Sequence, residues 1–270
     1  MAKTVTIESG ARVNASATNT GNGGSIVIWS ETKTAVAGLL QALGGKQGGH
    51  GGFIETSSKG EVLLGKTFAV QTNAAKGQAG RWLLDPIDLT IDRTAANVIS
   101  AALTNNNVSI AVNGNTCPSL GSCTQNGSGS LTLASGADIL KEGNTLTTLT
   151  LTASGIFNLN ANISGANLNV IINSSIAYLN VGTSIDVNQV TVQAQTIYAN
   201  GNINARGAYN TSSANSNNST RAAIELLAQA LYISGRLSTS QSNTNTNTST
   251  NTTSSTTSNT LTINGTIVRR

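Results

Sequence analysis

Aromatic side chains make up only 3% of this 270-residue chain and charged ones only 10%, against about 25% charged in an ordinary globular domain. So few aromatics exclude a core anchored on clustered rings. So few charges exclude a surface built on salt bridges. No apolar run approaches the ~18 residues of a membrane-crossing helix, and the chain is therefore not expected to span a bilayer. The 15 basic residues behind the net charge of +4 are scattered, with Arg269-Arg270 the one adjacent pair. A nucleic-acid site needs a basic stripe, usually with stacking aromatics, so no nucleic-acid partner is expected. The first thirty residues lack the charged start and apolar stretch of a secretory leader. The chain reads as a fragment, or as carrying its export signal elsewhere.

Asn, Thr, Ser and 28 glycines fill the deficit, while apolar residues still reach 38%. Chains of this composition often stay disordered, but here the apolar residues alternate with period two, as strands do. They also repeat. The series Val190, Val192, Ala194, Ile197, Ala199, Gly201, Ile203, Ala205 falls, 34 residues later, on Ile224, Leu226, Ala228, Leu231, Ile233, Gly235, Leu237, Thr239. A further shift of 30 carries Leu231, Ile233, Gly235 and Leu237 onto Leu261, Ile263, Gly265 and Ile267. Nearer the N-terminus, Gly23-Gly24-Ser25-Ile26, Gly51-Gly52-Phe53-Ile54 and Ala79-Gly80-Arg81-Trp82 recur every 28 residues.

Repeats of this length indicate solenoids, propellers or arrays. Propellers and sandwiches reverse direction through hairpins, yet at Asn200-Gly201 the alternation runs straight through the glycine. Equivalent strands one repeat apart then pair in parallel, and the expected fold is all-β: a right-handed parallel β-helix with extruded loops. Its core should include Ile26, Ile28, Val192, Ile197, Leu226, Leu231 and Ile263. Arg221–Leu231 is rich in helix formers, but its alignment with Val190–Ile197 predicts a strand. The chain reads as one unit over 1–270. Repeats fill 1–92, a less periodic part lies at 93–130, and further repeats span 131–270 with low-complexity loops at 207–220 and 240–259.

Within 23–92 the run Gly-Gly-Ser-Ile-Val-Ile-Trp-Ser (23–30) is followed by a glycine-rich stretch ending in Gly51-Gly52-Phe53-Ile54-Glu55. Ala79-Gly80-Arg81-Trp82-Leu83-Leu84-Asp85-Pro86 and Ile87-x-Leu89-x-Ile91 come next. This succession resembles the filamentous-haemagglutinin-like exoproteins of bacterial two-partner secretion, and most closely their high-molecular-weight adhesin and haemopexin-binding branch. The resemblance implies a secreted or surface-exposed fibre that attaches to host cells or surfaces. It also implies export through an outer-membrane barrel and a receptor it does not identify. An alternative within the family is capture of a host haem carrier. A strand edge left unpaired at either end would invite end-to-end self-association.

Catalysis is not expected, and neither is a cofactor or metal. His50, the single histidine, sits in Gly49-His50-Gly51, a triplet shared with β-helical polysaccharide-degrading enzymes. Such hydrolysis needs paired carboxylates, and Asp85, Asp88 and Asp92 read instead as turn residues around Pro86. Cys117 and Cys123, the only cysteines, bracket a Pro/Gly turn and suit a disulfide in an exported protein. So small a ring would contribute only about 2 kcal/mol. Asn-x-Ser/Thr triplets are frequent, and those at Asn210, Asn218, Asn247 and Asn251 are the favoured glycosylation candidates, because they fall in the low-complexity tracts. Recognition is expected on the loops 113–128, 207–220 and 240–259.

Overall fold

The structure, a computed structural model, describes residues 2–114, 127–207, 223–239 and the strand 260–267. Its elements are almost all strands. The first are β1 (Thr4–Ile7), β2 (Arg12–Asn14), β3 (Ser25–Ser30), β4 (Lys33–Val36) and β5 (Leu39–Gln41). Then come β6 (Phe53–Ser58), β7 (Glu61–Leu64), β8 (Ala69–Gln71), β9 (Arg81–Asp85) and β10 (Leu89–Ile91). One helix, α1 (Arg93–Leu103), precedes β11 (Asn107–Val112), β12 (Leu131–Leu133), β13 (Ile139–Leu140) and β14 (Thr147–Leu159). The remainder are β15 (Ile163–Leu179), β16 (Ser184–Ala199), β17 (Asn202–Ala205), β18 (Ala223–Ile233), β19 (Leu237–Thr239) and β20 (Thr260–Ile267). The protein is mostly β, with large parallel sheets.

Among the described residues every strand pairing is parallel and joins a strand to its equivalent in the next repeat. Ile26, Ile54, Trp82, Val108, Leu149, Val170, Val190, Ile224 and Leu261 form one unbroken line of register partners. The first eight are buried. A second line joins Leu89, Leu131, Phe157, Ala177, Ile197 and Leu231. A third joins Ile139, Ile163, Ile185, Ile203 and Leu237. β-branched and Leu side chains at alternate positions pack well on such a pleated surface. Most partners are aliphatic, and a buried ring enters these lines at Trp82 and Phe157.

The 28-residue recurrence is the register of β3 with β6 and of β6 with β9. The 34-residue one is the register of β16 with β18 and of β17 with β19. The described part of Arg221–Leu231, from Ala223 on, lies in strand β18 despite its helix formers, because Ile224 and Leu231 each extend a buried line. Of the expected core, Ile26, Val192, Ile197, Leu226 and Leu231 are buried, and Ile28 is half-buried against them. Asn200-Gly201 is a bend between β16 and β17, not a reversal.

Two expectations are corrected. The last strand pairs with Leu261 opposite Ile224 and Ile263 opposite Leu226, then Ile267 opposite Leu231, with a slip between Leu227 and Ala230. The offset is therefore not 30 residues. Alternation with period two fits many shifts, and backbone pairing chooses among them. Second, the weakly periodic stretch after residue 92 contains α1. Asp92 caps it, its carboxylate accepting from Ala95 N at 2.8 Å, and Ala95, Ala96, Ile99, Ala102 and Leu103 face inward at helical spacing.

The helix lies where a strand would otherwise stand. The ladder β2-β5-β8 ends at β8, and the third line resumes at β13; α1 packs against both β8 and β13. On the β8 side, Asn106 Oδ1 accepts from Thr72 N at 2.6 Å and its Nδ2 donates to Val70 O at 3.2 Å. On the β13 side, Leu140 N donates to Ser100 Oγ at 3.0 Å.

Candidate functional site

In β3, β6 and β9 alternate residues point inward, and those between form an outer face. That face carries Val27, Trp29, Phe53, Glu55, Ser57, Arg81, Leu83 and Asp85. Val27 is 57% exposed. Trp29 and Phe53 are half-buried, and each ring faces a cation. Lys59 Nζ lies 5.6 Å from the Trp29 ring centre, and the Arg81 guanidinium carbon 5.0 Å from that of Phe53. Such contacts are worth about 0.5–1 kcal/mol at exposed sites.

Two carboxylates share this face. Ser57 and Asp85 are register partners, and Ser57 Oγ donates to Glu55 Oε1 at 2.6 Å. Burial, and then the nearby charge of Glu55, push Asp85 up to about 6. The ion pairs of the described residues are Lys33–Glu61 and Arg206–Asp186, so neither Glu55 nor Asp85 takes part in one. Raised in this way, the Asp85 carboxyl keeps its proton to higher pH than an ordinary aspartate and, while protonated, can donate as well as accept a hydrogen bond.

The other two aspartates go elsewhere. Asp88 accepts from Ser128 N, Ser128 Oγ and Ser130 N; these bonds hold its carboxyl below the usual range against a partial desolvation that acts the other way. Asp92 caps α1. Among the described residues no group of three or more His, Cys, Asp or Glu is placed to hold a metal ion, and no helix is long and apolar enough to cross a membrane.

His50 is exposed in a corner of stacked backbone. Its backbone N–H donates to Asn22 Oδ1 at 2.8 Å, and its side-chain Nδ1 accepts from Gln78 N at 3.1 Å. The three residues are spaced 28 apart, so His50 ties successive repeats together, through its backbone on one side and its imidazole on the other. Gly51 beside it admits no side chain, since a Cβ there would meet Thr72 O at 1.6 Å. Lys141 is buried, and its Nζ donates to Glu142 O and Gly143 O at 3.0 and 2.9 Å. Burial holds its pKa below the ordinary lysine value.

Cys117, Cys123, Asn210, Asn218, Asn247 and Asn251 lie outside the described residues. The described residues that flank the two low-complexity tracts fall at one corner: Ala205 and Thr239 before them are register partners, and so are Ala223 and Thr260 after them. One repeat earlier that corner is Asn188 alone, within β16. The outer face of β3-β6-β9 was not among the expected recognition surfaces, although applying the 28-residue spacing to Glu55 lands on Leu83, two residues from Asp85. No protein-family model matches the chain, and comparison with curated proteins gives no match.

Proposed function

We propose that the chain is a stretch of right-handed parallel β-helix from a secreted, surface-exposed bacterial exoprotein, and that it serves attachment to host cells or surfaces. The observation that carries this is the nine-residue line from Ile26 to Leu261, in which successive repeats add one parallel strand each. The resemblance of residues 23–92 to two-partner-secretion adhesins supplies the attachment role, the outer-membrane barrel as export partner and the cell-surface location. The wall provides rigidity. Recognition belongs to the tract-bearing corner and to the outer face of β3-β6-β9.

One observation favours a second reading, hydrolysis of a polysaccharide. Glycosidic hydrolysis uses two carboxyls of unequal proton affinity on one surface, and Asp85, raised to about 6 by burial and then by Glu55, shares the outer face with Glu55. The two are separated by incubating the purified chain with cultured host cells, with serum, and with pectins and glycosaminoglycans. Saturable retention on cells without polysaccharide turnover supports attachment. Selective capture of a haem carrier from serum, with no cell retention, overturns it in favour of the haem-acquisition role. Turnover that Asp85→Asn abolishes overturns it in favour of hydrolysis.

A further inference from the structure

Three of the four tyrosines form a single column. Tyr178, Tyr198 and Tyr232 are successive register partners on β15, β16 and β18. Each is half-buried on the outer face, between inward residues of its strand. Tyr178 and Tyr198 stack with ring centres 4.8 Å apart and planes 4° from parallel; Tyr198 and Tyr232 stack at 4.7 Å and 9°. The spacing is that of neighbouring strands, so the backbone sets it. The inner ring faces cover one another, which makes the column a poor platform for a sugar. What it presents outward is ring edges, ortho carbons and hydroxyl groups.

From this we infer an oxidative cross-linking site: under a peroxide-fuelled peroxidase, Tyr198 couples to Tyr178 or Tyr232 as dityrosine. Each of two phenols loses one electron and one proton to the oxidant. The two phenoxyl radicals then form one bond between ortho carbons, and both rings regain their aromaticity by moving the ortho hydrogens to oxygen as protons. Hydrogen peroxide takes up the two electrons and two protons and leaves as two waters. Stacking helps at both stages. It places each ortho carbon over its counterpart at strand spacing, and it lets the radical on one ring exchange with the next before it is lost to solution. The product is a covalent staple across adjacent strands, the Tyr198–Tyr232 link closing the 34-residue repeat that contains residues 208–222.

The experiment treats the folded full-length chain, at low concentration, with horseradish peroxidase and hydrogen peroxide. It reads dityrosine fluorescence and maps linked peptides by mass spectrometry. The expected product is a monomer whose links join Tyr198 to Tyr178 or Tyr232, each with loss of two hydrogens. Tyr198→Phe keeps a ring in the column but leaves Tyr178 and Tyr232 two strands apart. It should lose most of the fluorescence and all of these links, while its circular dichroism stays unchanged. The same chain unfolded in guanidinium should lose this selectivity. Links that mainly join separate molecules, links dominated by Tyr209, or a yield unaltered by Tyr198→Phe would each overturn the inference.

Discussion

Asn106 stands to Thr72 as a residue on the next parallel strand would. Its side-chain oxygen accepts from Thr72 N while its nitrogen donates to Val70 O, the two bonds that a strand residue opposite Gln71 would make with its backbone. The same nitrogen donates to Ala102 O at 2.6 Å and so joins the edge of β8 to the end of α1. One buried carboxamide thus ends a ladder and anchors the helix that replaces its next strand. Asn106→Leu fills the space but takes away the side-chain partner of Thr72 N and Val70 O, at about 1–3 kcal/mol for each buried group left unsatisfied; Ala102 O keeps its backbone bonds from Asn105 N and Asn106 N. Urea unfolding should show the loss, and amide exchange at Thr72 should accelerate. Unchanged exchange there would mean that the cap is dispensable.

Asp85 should make the protein less stable at neutral than at acid pH. Its folded pKa is raised from 3.8 to about 6, so the folded state binds this proton more tightly than the unfolded chain does. Its contribution is intact below pH 3.8, declines as pH rises towards 6, and is lost above. Asp85→Asn should remove this dependence and stabilise the protein at pH 7 by about 1 kcal/mol, the shift being discounted for partial exposure. Melting temperatures of both proteins from pH 4 to 7.5 check the sign. A destabilised Asn variant at pH 7 would contradict it.

Trp82 is the largest buried side chain, edge-on to Phe68 at 5.6 Å, with Nε1 donating to Thr56 Oγ1 at 3.0 Å. It follows Ile54 in its line, so the core swells there by one ring. Trp82→Ala should cost about 3–5 kcal/mol. Thr56→Val keeps the shape but strands the indole N–H, and should cost about 1–3 kcal/mol. Equilibrium denaturation separates the two.

Removing residues 240–259 and closing Thr239 to Thr260 with a short linker should leave the melting temperature nearly unchanged, because loop closure depends only weakly on length. The preceding corner, turned by Asn188 alone, indicates that no long excursion is needed. A large drop in melting temperature would show that the tract packs on the wall.

Much of the fold was legible because stacking one repeat on another copies its spacing into the sequence. The offsets of 28 and 34 residues are strand registers written out twice. The 30-residue offset failed because alternation fixes only which residues face inward, and the irregularity between Leu227 and Ala230 defeats any single offset. Helix α1 is invisible to a search for period two, although Asp92 followed by Ala95, Ala96, Ile99 and Leu103 carries the capping and spacing of a helix. Glu55 and Asp85 are far apart in sequence and meet only through a register, so neither signals the other on its own.

The most direct measurement concerns the register on which the stacked-repeat architecture rests. In a Cys117→Ser/Cys123→Ser background, Thr191→Cys and Glu225→Cys place thiols on register partners whose native side chains meet at 3.4 Å. A control places them at Thr191 and Ser238, on different lines of the stack. A short bis-maleimide, which adds one thiol at each end, should link 191 to 225 within one molecule, leave the control pair unlinked, and lose this discrimination in guanidinium. Failure to link 191 to 225 in the folded protein, or equal linking of the control pair, would contradict parallel stacking of one repeat on the next.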